Sequence, residues 1–77
     1  MSFRLTFKSC PIEAQENYEG LEIIVTYCQP SRYDVGSYFW YIRNSDLEII
    51  SDNSKGYGER CVEDAIAEAK FAIEQLI

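Results

Sequence analysis

The chain has 77 residues, of which 47% are hydrophobic and 14% aromatic, and its 13 acidic and 7 basic side chains give a net charge of −6 at neutral pH. This length predicts one domain over residues 1–77 with a single small core, and such a core supplies only about 3–5 kcal/mol of stability. Nucleic acids and anionic membrane surfaces attract basic proteins, so the acidic balance argues against direct binding to either. No apolar run approaches the roughly 20 residues that cross a bilayer, and we expect a cytoplasmic protein.

The cysteine and histidine content limits the chemistry that the chain can perform. Cys10, Cys28 and Cys61 are odd in number and show no metal-ligand spacing, which predicts neither a disulfide scaffold nor a structural zinc site. Histidine is absent, and with it the commonest general base at neutral pH. We therefore expect no enzymatic activity, no cofactor and no metal, and we assign no catalytic residue.

The N-terminal part of the chain predicts one strand and an ambiguous segment. Apolar and polar side chains alternate over Phe3–Phe7, as in a half-buried strand. The next segment starts with Ser9, which can cap a helix, and Pro11, which a first helical turn tolerates. A short helix near Pro11–Tyr18 and a solvated loop fit this segment equally well.

Three more strands are predicted in the middle of the chain. Leu21–Cys28 is rich in β-branched residues and apolar on both sides, as expected of an interior strand. Tyr38–Arg43 is the third predicted strand, and Leu47–Asp52 follows it after a tight turn at Asn44–Asp46. With the first strand, they predict a four-stranded, largely antiparallel sheet.

The last segment predicts one long amphipathic helix. It begins between Glu59 and Val62 and meets no helix breaker before Ile77, and its apolar residues recur on one face at about 100° per residue. Glu63 and Asp64 in the first turns complement the helix dipole. We expect an α+β domain in which the sheet packs one face on this helix. The predicted core comprises Trp40, Ile42, Val62, Ile66, Ala69, Ile73 and Leu76.

The third predicted strand carries aromatic side chains on both faces. Trp40 and Ile42 point to one side of the sheet, and Phe39 and Tyr41 point to the other. A single helix covers one face of an antiparallel sheet, and large exposed apolar patches mark interfaces. The second face is covered either by a partner or by another part of this chain, such as the first strand, the segment after it or the loop before Tyr38. We favour a symmetric homodimer through Phe39 and Tyr41.

Phe71 departs from the helical pattern, because it points roughly 180° away from the apolar stripe and lies among charged neighbours. Isolated exposed aromatic residues are common on protein surfaces and need have no role. A contact with a partner protein is the alternative interpretation, and the sequence leaves both open.

Two functional hypotheses follow. The first is a non-enzymatic protein-interaction module that self-associates through its aromatic sheet face. The second is a small acidic inhibitor or nucleic-acid mimic, of the kind that phages and mobile elements use against host defence, which would occupy the basic groove of a nucleic-acid-binding protein. The acidic residues assigned to that contact are Glu59, Glu63, Asp64, Glu68 and Glu74.

Two weaker motifs are given structural interpretations. Gly56-Tyr57-Gly58 precedes the helix but lacks a third glycine and is followed by acidic residues, so we interpret it as a flexible connection instead of a phosphate site. Cys61 also has acidic neighbours, and we interpret it as a half-buried structural thiol.

A family pattern runs through the second half of the chain. It consists of Tyr38, Trp40, Asn44, Asp46, Glu48-Ile49-Ile50, Ser51, Ser54 and Gly56-Tyr57, followed by the helix. With this pattern the segment from Leu21 onward resembles the small YegP-like proteins. The resemblance implies a β-β-β-α unit that pairs with another copy, and it implies no enzymatic activity.

A weaker similarity is to HicB-type antitoxins, which also end a three-stranded sheet in an acidic helix. This similarity implies an antitoxin role. Double-stranded-RNA-binding domains share the β-β-β-α order, but Glu63 and Asp64 stand where those domains have basic residues, which argues against RNA binding.

Overall fold

Five antiparallel strands in chain order precede one helix in the computed structural model, which describes residues 6–7, 10–29, 36–54, 56 and 58–76. Each strand pairs with the one before it, so the sheet order is β1-β2-β3-β4-β5. The predicted α+β class is confirmed. Within the described residues, no helix is long and apolar enough to span a membrane. The elements are β1 (Thr6–Phe7), β2 (Cys10–Tyr18), β3 (Leu21–Cys28), β4 (Ser37–Arg43), β5 (Ile49–Asp52) and α1 (Val62–Leu76).

The sheet has five strands in place of the predicted four, because the segment interpreted as a short helix or loop near Pro11–Tyr18 is β2. It pairs with β3 from Ile12 opposite Thr26 to Tyr18 opposite Leu21. Local capping signals are compatible with a helix there, but pairing with the apolar β3 outweighs local propensity. Of the first predicted strand, Thr6–Phe7 is β1, and the remainder lies outside the described residues.

Tight turns fix the register of the sheet. Glu19 and Gly20 join β2 to β3 with φ angles of 52° and 79°, the left-handed backbone of a two-residue hairpin. After β4, the Asn44 side chain accepts hydrogen bonds from the backbone N–H groups of Asp46 and Glu48, at 2.9 and 3.0 Å. This confirms the predicted turn and delays the start of β5 to Ile49.

The first face of the sheet packs against α1 and forms the core. Its strand residues, Ile23, Val25, Trp40 and Ile42, are buried against Ala65, Ala69 and Ile73. Val62 and Ile66 lie at the edge of this cluster and are partly buried. Leu76 was wrongly predicted as core: it is the last residue of α1 and 56% exposed, so the buried stripe ends at Ile73.

The second face of the sheet is covered partly by β1. The Phe7 and Tyr41 ring centroids are 4.8 Å apart, whereas a flat sheet would separate β1 from β4 by about 14 Å, three strand spacings. The sheet must therefore curl, and the register shift between Ile12 and Ala14 in β2 supplies a bend. Residues of this face, namely Ile24, Thr26 and Tyr41, are 0%, 0% and 5% exposed.

A disulfide joins Cys10 to Cys28, with their Cα atoms 5.5 Å apart, whereas the odd cysteine count led us to expect no disulfide scaffold. The two residues are 18 positions apart, and their spacing carries no pairing signal. They come together because each lies two residues beyond the Ile12–Thr26 pair of the β2–β3 hairpin. Cys61 is half-buried and outside this bond, in agreement with its interpretation as a half-buried thiol.

Ile73 and Leu76 provide a matched test of where the core ends, since both lie on α1 and differ in burial. We expect Ile73→Ala to lower the free energy of unfolding by about 2–5 kcal/mol, because it leaves a buried cavity. Leu76→Ala should cost less than about 1 kcal/mol. Urea denaturation followed by the fluorescence of Trp40, the single tryptophan, measures both values. Equal losses would show that the core extends to the end of the helix.

Candidate functional site

The outward side of α1 carries an exposed aromatic ring among acidic side chains. Phe71 is 62% exposed, in agreement with its predicted direction away from the core, whereas Ala65, Ala69 and Ile73 of the same helix are fully buried. Carboxylates precede and follow Phe71 by three positions, about one helical turn each way. We call this surface the acidic helix face, defined by the exposed residues Glu63, Asp64, Glu68, Phe71 and Glu74.

Two hydrogen bonds fix the rotation of this face relative to the sheet. The indole Nε1 of Trp40 donates to Glu68 Oε1 at 3.4 Å, and the Tyr18 hydroxyl donates to Glu74 Oε1 at 2.7 Å. The bond to Glu74 raises the pKa of the Tyr18 phenol. Because these bonds join β4 and β2 to the helix, Phe71 is held pointing outward.

Lys70 does not neutralise the acidic helix face, because it is engaged with β2. Its Nζ is 2.9 Å from Glu16 Oε1 and lies 5.3 Å from the centroid of the Tyr18 ring. The Lys70 ammonium group is therefore paired with side chains of the sheet. The residues that define the acidic helix face carry four negative charges and no positive one.

Glu59 and Glu68, both assigned from the sequence to a partner contact, come together at the start of this surface. Backbone hydrogen bonds in both directions, of 3.0 and 2.8 Å, hold Glu59 beside Tyr38. Its carboxyl group shares a hydrogen bond with Glu68, which, with burial and the charges of Glu68 and Asp64, raises the pKa of Glu59 to about 7. The Glu59 carboxyl group therefore gains or loses its proton near neutral pH.

Phe39 and Tyr41, the other predicted contact residues, lie on the second face of the sheet and away from the acidic helix face. Phe39 is half-buried, and Tyr41 is 5% exposed beneath Phe7. Burial, followed by the charge of Asp52, raises the pKa of the Tyr41 phenol. The guanidinium of Arg43 lies 5.5 Å from the Phe7 ring centroid. The predicted site residues thus divide between two separate surfaces.

A cleft of about 340 Å³ opens on the second face and offers mainly apolar surface. The carboxyl pair of Glu59 and Glu68 lies on the other side of the sheet, and Glu68 is exposed. Within the described ranges, no three His, Cys, Asp or Glu side chains are grouped to hold a metal ion. The arrangement is suited to contact with another surface. The cleft is lined by Cys28, Gln29, Phe39, Tyr41 and Ser54.

Sequence reasoning missed the residues that connect these surfaces to the sheet. Glu22 forms an ion pair with Arg43, and the two are direct partners in the β3–β4 ladder. Phe7 was recognised only as a strand residue, and its contact with Tyr41 requires the curl of the sheet. Both contacts depend on which residues lie opposite each other in neighbouring strands. That register cannot be derived from the sequence before the pairing of the strands is known.

Comparison of the chain with protein-family models, with curated proteins and with solved structures found no match. The resemblances to YegP-like proteins and to HicB-type antitoxins therefore stay predictions.

The Glu59–Glu68 pair predicts a pH-dependent stability. The pKa of Glu59 is about 7 in the folded chain and 4.5 ordinarily. Between about pH 4.5 and 7, Glu59 therefore holds a proton in the folded state that it has lost in the unfolded state. The stabilisation is complete below about pH 4.5 and is lost as the pH rises to about 7. We expect a loss of less than about 1 kcal/mol, since Glu68 is exposed to solvent.

Urea denaturation of wild type and Glu59→Gln between about pH 4.5 and 8 measures this contribution. The variant should show a smaller decline in unfolding free energy across this range. Glu63→Gln, on the exposed side of α1, is the matched control, and its pH profile should follow that of the wild type. Identical pH profiles for wild type and Glu59→Gln would contradict the expectation.

Proposed function

We propose that this chain is a non-enzymatic protein-interaction module that binds a basic protein surface through its acidic helix face. The observation that carries the proposal is Phe71, 62% exposed at the centre of a carboxylate-lined helix surface. Aromatic anchors surrounded by polar residues are typical of interaction hot spots. The surrounding carboxylates would speed association with a positively charged partner and fix its orientation.

The basic groove of a nucleic-acid-binding protein fits this surface in length as well as in charge. From Glu63 to Glu74 the helix rises about 16 Å, a distance over which one nucleic-acid strand carries about five phosphates. The acidic helix face can therefore occupy a phosphate-binding groove, with Phe71 filling an apolar recess within it. An anti-defence inhibitor and a HicB-like antitoxin are two biological forms of such a module.

Self-association through Phe39 and Tyr41, the contact favoured from the sequence, has weaker support. Tyr41 is 5% exposed and Phe7 packs against it, so the ring has little surface left for a partner. A homodimer and a cytoplasmic location stay predictions. Sedimentation of the purified chain at micromolar concentration tests the first of these.

Partner capture with matched variants tests the acidic helix face. Wild type and Phe71→Ala are immobilised and exposed to extract of the native host, with Leu47→Ala as the control, since Leu47 is 67% exposed in the turn between β4 and β5. We expect wild type and Leu47→Ala to retain a basic protein, and Phe71→Ala to retain it about tenfold less, because an anchor residue contributes at least about 1.4 kcal/mol.

The mode of binding is tested on the same captured complex. Duplex DNA should displace the partner, and about 0.5 M salt should release it, because exposed charge pairs are screened at that ionic strength. A partner that resists both treatments, or that Phe71→Ala retains as well as wild type, would contradict the proposal.

A further inference from the structure

The Cys10–Cys28 disulfide closes the corner at which β1 turns onto the second face of the sheet. Its cysteines lie just beyond the Ile12–Thr26 pair, at the end of the β2–β3 ladder. Cys10 is also the residue that pairs with Phe7 of β1. One covalent bond therefore joins the end of β3 to the residue that positions β1.

The ladder that joins β1 to β2 is short. It has two pairs, Thr6 with Pro11 and Phe7 with Cys10, and a proline has no N–H to donate to a ladder. Phe7 also packs edge-on against Tyr41, and the guanidinium of Arg43 lies near its ring. The position of β1 thus depends on a corner that the disulfide fixes.

The surface under this corner is mainly apolar, with the charges of Arg43 and Asp52 close to Phe7 and Tyr41. Ile24 and Thr26 are fully buried there, Tyr41 is 5% exposed and Phe39 is half-buried. The cleft of about 340 Å³ lies directly beside the disulfide, because Cys28 is one of its lining residues. Moving β1 away would extend this cleft into a larger apolar patch, and such patches mark interaction surfaces.

We propose that the Cys10–Cys28 disulfide is a redox-operated latch, which holds β1 on the second face when oxidised and uncovers Tyr41, beside Phe39 in the cleft, when reduced. Both cysteines are half-buried, so a thiol reagent can approach from solvent. The second face is separate from the acidic helix face, and the latch does not depend on the function proposed for that helix.

The reaction that opens the latch is thiol–disulfide exchange with a dithiol reductant. A thiolate of the reductant attacks one sulfur of the pair and forms a mixed disulfide, while the other cysteine leaves as a thiolate and takes a proton. The second thiol of the reductant then resolves the mixed disulfide. Two electrons pass to the protein, and the products are two cysteine thiols and the oxidised reductant. A reducing compartment opens the latch, and an oxidising one closes it.

Nuclear magnetic resonance of the full chain, before and after treatment with dithiothreitol, tests the latch. The Cys61→Ser background removes the third thiol and confines exchange to the one pair. In the oxidised chain we expect a cross-relaxation signal between the rings of Phe7 and Tyr41. Reduction should abolish it and should accelerate amide exchange at Thr6, Phe7, Cys10 and Ile12 by about tenfold or more.

The indole N–H of Trp40 reports the helix side of the sheet in the same spectra, because it is bonded to Glu68. It should keep its chemical shift on reduction. A double variant with Cys10→Ser and Cys28→Ser should match the reduced chain without reductant, and Phe7→Ala should uncover Tyr41 while the disulfide stays intact. A ring signal that persists after reduction would overturn the proposal, and so would simultaneous loss of the Trp40 signal, since that marks unfolding of the whole domain.

Discussion

The architecture depends on one constraint: β3 and β4 are apolar on both faces, and α1 covers only one of them. Ile23 and Ile42 face α1, while Ile24 and Tyr41 face the opposite way, and all four are nearly or fully buried. A flat sheet would leave Ile24 and Tyr41 exposed to water, and each side chain would lose about 1.5–3 kcal/mol of burial free energy. Three features help to cover the second face: the curl of the sheet, its bulge in β2 and the disulfide at the corner.

Trp40 connects the core with the surface proposed for binding. Its ring belongs to the buried cluster on the first face, and its indole nitrogen reaches Glu68 on the outside of the helix. Small residues at Ala65 and Ala69 let α1 approach the sheet closely enough for this contact. The direction in which Phe71 points therefore follows from packing of the core, and the acidic helix face is presented on a rigid support.

Local patterns predicted the elements whose signal is periodic. Composition and alternation were enough to place β3, β4 and α1, and to assign Trp40 and Phe39 to opposite faces. They failed for β2, whose segment fitted a short helix or a loop equally well and gains its strand conformation from pairing with β3. They failed again for Cys10 and Cys28, which meet only because of the hairpin register. Leu76 was misassigned because periodicity continues after the strands no longer cover the helix.

The chain order of the elements has a consequence for synthesis on the ribosome. Each strand pairs with the strand made just before it, so hairpins can form while the chain emerges. The helix that shields Trp40 and Ile42 follows all five strands. The ribosome adds roughly 5–20 residues per second, so the first face of the sheet stays uncovered for a few seconds between synthesis of β4 and synthesis of α1. During that interval the nascent sheet presents bare apolar surface to other chains, and aggregation competes most strongly with folding.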